Sequence, residues 1–384
     1  MFGKTPLAWY QVTRERTRLL VAIAGITFAN ILIFMQLGFL DALFDGATRP
    51  HRTFCGDIVL TNPKQHTFFS PKSFSRQRLF QALGYKGVES VASVLVGTVQ
   101  WRNPVSSQIR SILVFGVDPL KATFNLAGVQ QSVSTLKIIN RVLFDRDSRP
   151  EYGPIAELFN EKKTVETELN GKRIKVSGLF SLGASFAADG TVITSDTTFA
   201  DVFNRKGTDN IEVGLIKVTP GADVQSVKEA LKKAYGNDIA VNTMKEFAEV
   251  EKNYWATSSG IGFIFGLGVV VGFIVGVVIV YQILYADVSD HLAEYATLKA
   301  IGYTDRYLLA VLIQESMILA CFGYAPGLGL SLLMYWIAQT STLLPIYMTA
   351  GRALLVFVLT IAMCSISAAI AMRKLRSADP ADIF

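Results

Sequence analysis

Hydrophobic positions along this chain gather into four long blocks separated by polar sequence, and that pattern sets the class of protein before any single residue is considered. Residues 19–40, 260–284, 307–338 and 353–372 are predominantly apolar. Each is about 20 residues or longer, enough for a helix to cross the roughly 30 Å hydrocarbon core of a bilayer. The spans are accordingly placed at 19–41, 258–285, 307–338 and 353–372. Residues 42–257 have a different texture, with charges throughout and short alternating apolar runs between Gly, Pro, Asn and Asp turns. That texture predicts strands at 57–61, 91–101, 109–115, 164–169, 173–179, 192–194 and 212–218, and helices at 74–83 and 224–235. Asn170-Gly171 is a hairpin signal between two of the strands. The stretch 145–203 is richer in strand, and the length suits either one large unit or two small ones. The fold class is therefore a membrane protein, four transmembrane helices with a large α+β extracytoplasmic domain between helices 1 and 2.

Within the second span Gly260, Gly268, Gly272 and Gly276 recur mostly at helical i, i+4 spacing, with Gly262 and Gly266 in a parallel stripe. Small residues so placed let another helix approach closely in lipid, from the same chain or from a second copy. The polar segment 286–306 forms an elbow between spans two and three. There Asp287, Asp290 and Glu294 fall at i, i+3, i+7 and share one face of an ideal helix, while Leu292, Ala296 and Lys299 lie elsewhere around it. Gly302 supplies a helix stop, and Thr304 or Asp305 a cap for the next helix. By charge pattern alone the acidic face reads as solvated.

Basic residues set the orientation. Lys4, Arg14, Arg16 and Arg18 precede the first span, and Arg373, Lys374 and Arg376 follow the fourth, whereas the loop 339–352 offers Arg352 alone. An even number of spans with basic flanks puts both termini and the elbow in the cytoplasm and domain 42–257 outside. Residues 1–18 read as an amphipathic interfacial helix with Trp9 and Tyr10 at headgroup level, and 373–384 as a cytoplasmic tail. The first span is too long for a signal-peptide core and is kept as an anchor. The 51% hydrophobic content fits a membrane protein with a sizeable soluble part, and a net charge of +6 beside apolar blocks reads as topology, not as a nucleic-acid footprint.

Candidate chemistry changes this picture little. Cys55, Cys321 and Cys364 have no metal-ligand spacing, and His51, His66 and His291 stand apart, so no metal site and no disulfide framework is expected. Asp145-Arg146-Asp147 brings two carboxylates beside an arginine, but without a nucleophile–base pair it reads as turn chemistry, and no catalytic residues are assigned. Asn30 and Gln36 imply that one face of the first span meets protein. Glu315 lies about two turns into the third span with no basic partner evident, which fits a place near the cytoplasmic interface better than a proton pathway. Pro326 with Gly327 and Gly329 predicts a kink or loosened turn. No G-x-x-x-x-G-K-[ST] loop occurs, so this chain lacks the usual cradle for ATP phosphates.

Glu294-Tyr-Ala-Thr-Leu-Lys-Ala-Ile-Gly302 resembles the "RE-I-G-x-x-x-A-x-G" segment of macrolide-exporter-like and cell-division-type ABC permeases (the MacB/FtsX type, or type VII), with Ala293 where the family's usual Arg precedes the Glu. In that family the segment docks on the cytoplasmic ATPase. The resemblance thus implies ATPase coupling through Asp287, Asp290, Glu294, Lys299 and Gly302. The stretches 7–20 and 34–45 and the tail Ser377-Ala-Asp-Pro-Ala-Asp382 are similar to the DevC-type permeases of cyanobacteria, which adds Asp379 and Pro380 to the coupling set. The branch implies a separate ABC ATPase carrying ATP and Mg, with no cofactor on this chain. It also implies a periplasmic membrane-fusion adaptor, an outer-membrane channel of the TolC type reached through it, a homodimer in the bacterial inner membrane, and export of lipid-like cargo such as glycolipid. The same family architecture also serves a signalling role, in which an FtsX-like subunit activates an outside partner without moving cargo.

Overall fold

The computed structural model describes residues 16–377, and the expectations for residues 1–15 and for Asp379 and Pro380 lie outside them. The chain divides into two compact units. One holds the residues up to Asp41, Gly262–Ser341 and those from Ile346 onward, and the other holds Ala42–Ile261 with Thr342–Pro345.

In the first unit four helices are long and apolar enough to cross a membrane: Arg16–Thr53, Ile261–Asp290, Asp305–Thr342 and Ala350–Ser377. Several polar groups buried between them bond across helices. Asn30, fully buried, accepts a hydrogen bond at 2.7 Å from the Thr360 hydroxyl of the fourth helix. Thr27 donates to the Gly323 carbonyl at 3.1 Å, and Ser367 to the Val277 carbonyl at 2.8 Å. Hydrocarbon offers no competing partner, so such bonds fix the rotation of each helix about its axis. Three glycines of the second helix meet neighbours in the same chain, whereas Gly266 has open space around it. A Cβ at Gly268 would stand 2.4 Å from Gln36, and one at Gly276 would meet both Met363 and Ala29, while Gly272 faces Ile33. Gly260 has nothing near it and a φ of +72°, a position that breaks the chain direction just before the helix begins. The helix Asp305–Thr342 runs on through Pro326.

The first helix is longer than the apolar block predicts. Its 38 residues extend to Thr53 rather than stopping at 41. Asp45, Arg49 and Arg52 lie one and two turns apart, with ion pairs of 3.3 Å (Arg49–Asp45) and 2.9 Å (Arg52–Asp45). These pairs support the helix where the sequence turns polar, and Ala42, Leu43, Ala47 and His51 are buried on the other side.

The second unit is built on one nine-stranded sheet in the order β11-β1-β10-β3-β4-β8-β5-β7-β6. Its strands are β1 Ile58–Thr61, β3 Val88–Arg102, β4 Ile109–Val117, β5 Arg141–Asp145, β6 Val165–Leu169, β7 Lys172–Phe180, β8 Thr191–Ser195, β10 Val213–Val218 and β11 Ala240–Thr243. A separate two-residue ribbon pairs β2 Phe74–Ser75 with β9 Asn210–Ile211. The 15-residue β3 joins two halves. Its first part pairs with β10, while its far end also pairs with β6 through Trp101↔Leu169 and Arg102↔Glu168. That last pairing closes β3-β4-β8-β5-β7-β6 on itself, so the strand-rich middle stretch is half of a continuous sheet and not a detached subdomain. One hydrophobic cluster fills the closed part and runs under the helices Arg76–Gln81 and Val224–Tyr235, with Trp101, Phe144, Leu79 and Leu231 in it. A second, around Phe115, Ile193 and Leu215, lies on the other face against Phe54, Phe68 and Phe247.

Several helices were not evident in the pattern. Met244–Asn253 is opened by a capping box, Thr243 bonding the Glu246 amide and Glu246 the Thr243 amide, and Thr243-x-x-Glu246 was the available signal. The segment 74–83 begins as strand and becomes helix only at Arg76, where the Ser75 hydroxyl caps it.

Asp145 is fully buried and accepts amide hydrogens from Leu182 and Gly183, each at 2.9 Å, and from Asp147 at 3.2 Å. It ties the loop after β7 to the end of β5, a structural role that agrees with a turn reading of 145–147. Burial outweighs the three amide donors and pushes its carboxyl up to about 6. The folded state therefore binds this proton more tightly than the unfolded chain. The associated stability is full below about pH 4, and it is lost as pH rises through about 6. Asp145→Asn should flatten the decline in thermal midpoint of the purified protein between pH 4 and 7. An unchanged pH profile in that variant would remove Asp145 as its source.

Candidate functional site

Among the described residues, the polar elbow between the second and third spanning helices gathers charge from three helices of the membrane unit. The second helix ends at Asp290, a turn occupies His291, and a separate helix runs Leu292–Ala300. His291 sits at φ −100°, ψ 16°, outside helical geometry. The three acids of the expected acidic face are not equally presented: Asp287 is buried, whereas Asp290 and Glu294 are exposed.

Asp287 is buried, 6% exposed, and turns inward. Its carboxylate lies 3.6 Å from the Arg18 guanidinium of the first helix and 3.6 Å from the His291 ring. Arg18 also forms a close ion pair with Asp290. Glu315 of the third helix, itself 4% exposed, meets the Asp287 side chain and feels the Arg18 charge. The acid that looked isolated in the sequence is thus part of a five-residue cluster, with Arg18, Asp287, Asp290 and His291, joining three helices. Arg18 was counted only as a topology signal, and no spacing rule links residue 18 to 287 or 315.

Glu294 points away from this cluster. It is exposed, as are Thr297 and Ile301, one helical turn and two turns further on. Ile301 is 71% exposed and Tyr303 45%. On the opposite side Tyr295 and Ala296 are buried against the spanning helices. The elbow helix stops as its glycine predicts. Gly302 has φ +106°, its amide bonds the Lys299 carbonyl, and the Tyr303 amide bonds the Leu298 carbonyl, each at 3.0 Å. This is the two-bond stop in which a glycine takes the left-handed position. Lys299 reaches Asp305 at 3.4 Å, closing the bend, and the Thr304 carbonyl accepts the first amides of the third helix. Of the elbow residues singled out in sequence, Glu294 and Gly302 face outward, Lys299 braces the bend, and Asp287 and Asp290 are held by Arg18.

At the far ends of the spans a second charged contact was also invisible to pattern. Arg352, 6% exposed, pairs with Asp41 and reaches the Tyr335 hydroxyl at 3.1 Å and the Tyr347 carbonyl at 2.9 Å. The Tyr335 hydroxyl in turn donates to the Phe34 carbonyl. Among the described residues no group of three or more His, Cys, Asp or Glu is placed to hold a metal ion.

Residues 19–234 match the MacB-like periplasmic core domain, and residues 259–380 match the FtsX-like permease C-terminal. The chain belongs to the MacB/FtsX-type permease family, and it is a multi-pass membrane protein. It is 26% identical over 191 residues to an uncharacterized ABC transporter permease of Methanocaldococcus jannaschii, covering 48% of this chain and 46% of that one. It is 23% identical over 219 residues to the macrolide export ATP-binding/permease protein MacB of Bdellovibrio bacteriovorus, covering 52% of this chain and 33% of that one. The match therefore spans less than half the length of either relative. Among solved structures, the periplasmic region of MacB from Actinobacillus actinomycetemcomitans aligns with a TM-score of 0.36 at 12% identity, over 52% of this chain and 94% of that one. The extracellular domain of the ABC-type transporter YknZ from Gram-positive bacteria aligns with a TM-score of 0.33 at 14% identity, over 48% and 98%.

Removing the guanidinium from the cluster should be costly, because it leaves Asp287 and Glu315 facing each other in a buried site. Arg18→Gln is expected to lower the thermal midpoint of the purified protein, with a loss on the order of 2 kcal/mol. Adding Asp287→Asn should recover most of it. A double variant no more stable than Arg18→Gln alone would mean that the two charges are not coupled.

Proposed function

We propose that this chain is the permease subunit of an ATP-driven exporter, in which the elbow receives the motion of a separate ABC ATPase carrying ATP and Mg. The observation that carries this reading is the division of the elbow into two sides. Tyr295, Ala296 and Asp287 are packed inward, while Glu294, Thr297, Ile301 and Tyr303 are left exposed. An exposed isoleucine and tyrosine beside a carboxylate suit a protein partner, since apolar surface supplies the burial and the charge sets register. The inward side gives that partner a firm lever, because Arg18 and Glu315 tie the base of the elbow to helices one and three.

In this reading both termini and the elbow are cytoplasmic, and the sheet domain lies outside the bacterial inner membrane. Two copies pair, and closure of the ATPase tilts the elbows and moves the outer domains. These push lipid-like or amphiphilic cargo, glycolipid in the DevC-type branch, into a membrane-fusion adaptor and through it a TolC-type channel. Cargo need not pass between the four spans, which offer few polar residues to line a pore. A second reading shares the same architecture, that of an FtsX-like subunit which activates an outside partner without moving cargo. Accumulation of cargo in cells lacking the permease separates the two.

Ile301→Glu and Glu294→Lys lie on the exposed side and should leave folding intact. Each is expected to reduce co-purification of the ATPase and stimulation of its hydrolysis by about tenfold or more, as for the loss of an interface anchor. Full coupling in both variants would sink the docking role. Sidedness is checked by protease added to intact spheroplasts, which should cut within residues 42–257. Protection of that region until lysis would reverse the assignment.

A further inference from the structure

Inside the second unit, the outer end of the first helix and the helix Met244–Asn253 form the walls of a cavity of about 580 Å³. Its volume is that of a small-molecule site. Phe44, Phe54, Met244 and Ala248 give it an apolar lining. Its rim is basic. Lys245 and Lys252 are exposed and form no ion pair among the described residues, and Lys252 rests over the Phe44 ring at 5.1 Å. Arg52 is a third cation, partly offset by Asp45 at 2.9 Å, and Glu249 is the single acid in the lining.

A second observation, independent of the rim, also points to an occupant. His51 lines the cavity, is 1% exposed, and neither of its ring nitrogens makes a hydrogen bond. Its nearest acid, Glu251, stands 3.5 Å away but is already engaged by the Thr67 hydroxyl at 2.7 Å, the Phe68 amide at 3.2 Å and the Trp255 indole at 2.9 Å. The ring is held between Phe68 and Phe247, with centroids 4.4 and 4.5 Å away, so it cannot swing out to water. Buried polar groups are rarely left unsatisfied without a use.

We propose that this cavity binds an anionic amphiphile, its apolar chain against Phe44, Phe54 and Met244 and its carboxylate or phosphate head between Lys245 and Lys252. Both walls belong to segments that lead directly into the first and second spans, Phe44 three residues beyond Asp41 and Lys252 nine before Ile261. The inference deepens the export reading and rests on it for its place in transport, since it names the charge class of the cargo. Binding itself requires neither ATPase nor adaptor.

The test is photoaffinity labelling of the full chain in phosphatidylcholine nanodiscs, using a diazirine-bearing fatty acid and the matching fatty alcohol. The acid should give adducts in residues 44–56 and 244–252, and the alcohol markedly fewer. Lys245→Gln with Lys252→Gln should reduce labelling by about fivefold, the effect of removing two exposed charge contacts. Both lysines are exposed, so the fold is not at risk, and Glu229→Gln on the helix Val224–Tyr235 serves as an exposed control outside the cavity lining. Competition by oleate assigns a carboxylate head, and competition by lysophosphatidate a phosphate head; either supports the site. Equal labelling by the alcohol, adducts confined elsewhere, or undiminished labelling of the double variant would overturn it. Lost ATPase coupling with labelling retained would count against the export reading alone.

Discussion

The membrane unit is governed by one constraint: a polar group placed between helices in hydrocarbon has no water to fall back on and must find its partner in the protein. The chain meets it at three depths. Arg18 with Asp287 and Glu315 lies toward one end, Asn30 with Thr360 lies in the middle, and Arg352 with Asp41 and Tyr335 lies toward the other. Because both members of each contact lie on different helices, a helix cannot rotate or slide without breaking one of them. Close approach at Gly268, Gly272 and Gly276 supplies the dispersion energy, and the polar contacts choose one arrangement out of the many that apolar surfaces would accept.

The same logic makes the elbow asymmetric. Asp287 and Asp290 carry as much negative charge as any docking surface needs, yet Arg18 claims both. Glu294 stands outward with no share in that pairing, beside an exposed isoleucine and tyrosine, and Asp290 stays exposed while paired with Arg18. A docking surface dominated by charge would weaken steeply with salt, whereas one anchored on apolar side chains keeps its affinity and uses charge for orientation. The glycine stop matters for stiffness as well. Gly302 lets the chain reverse within two residues, and Lys299–Asp305 spans the reversal, leaving little slack between the elbow helix and the third span.

Much of this was legible in the sequence because it depends on local periodicity. Four spans, the Asn170-Gly171 hairpin, the Gly302 stop and the helix after Asp223 each follow from residues within a few positions of one another. The strand-rich middle was legible as strands but not as part of one sheet, since the β3–β6 pairing joins residues 101 and 169, and nothing in either strand names its partner. Charge pairs failed for the same reason. Arg18 and Asp287 are 269 positions apart, and each alone looks like a solvated surface group. The helix extension to Thr53 failed differently: hydropathy marks where the bilayer would end, but Asp45, Arg49 and Arg52 continue the helical spacing in a polar alphabet. Met244–Asn253 carried its capping box in plain view, and its mixed composition hid it behind the stronger signals on either side.

That unseen pair, the extension of the first helix and the helix that returns toward the second span, gives the soluble unit its distinctive chemistry. Strands β3, β4 and β8 supply continuous buried runs to the sheet and little else. The two helical segments instead gather His51, Glu251, Thr67 and Trp255 into a buried polar knot beneath an aromatic cluster, with the exposed Lys245 and Lys252 on the cavity beside it. If the knot served stability alone, an apolar replacement of similar volume would spare the cost of burying His51 without a hydrogen bond. A polar ring held in the wall of that cavity without a hydrogen bond is the feature that a purely structural role leaves without a purpose. The position of that ring, on chain segments that run straight into two spans, puts recognition and movement on the same elements.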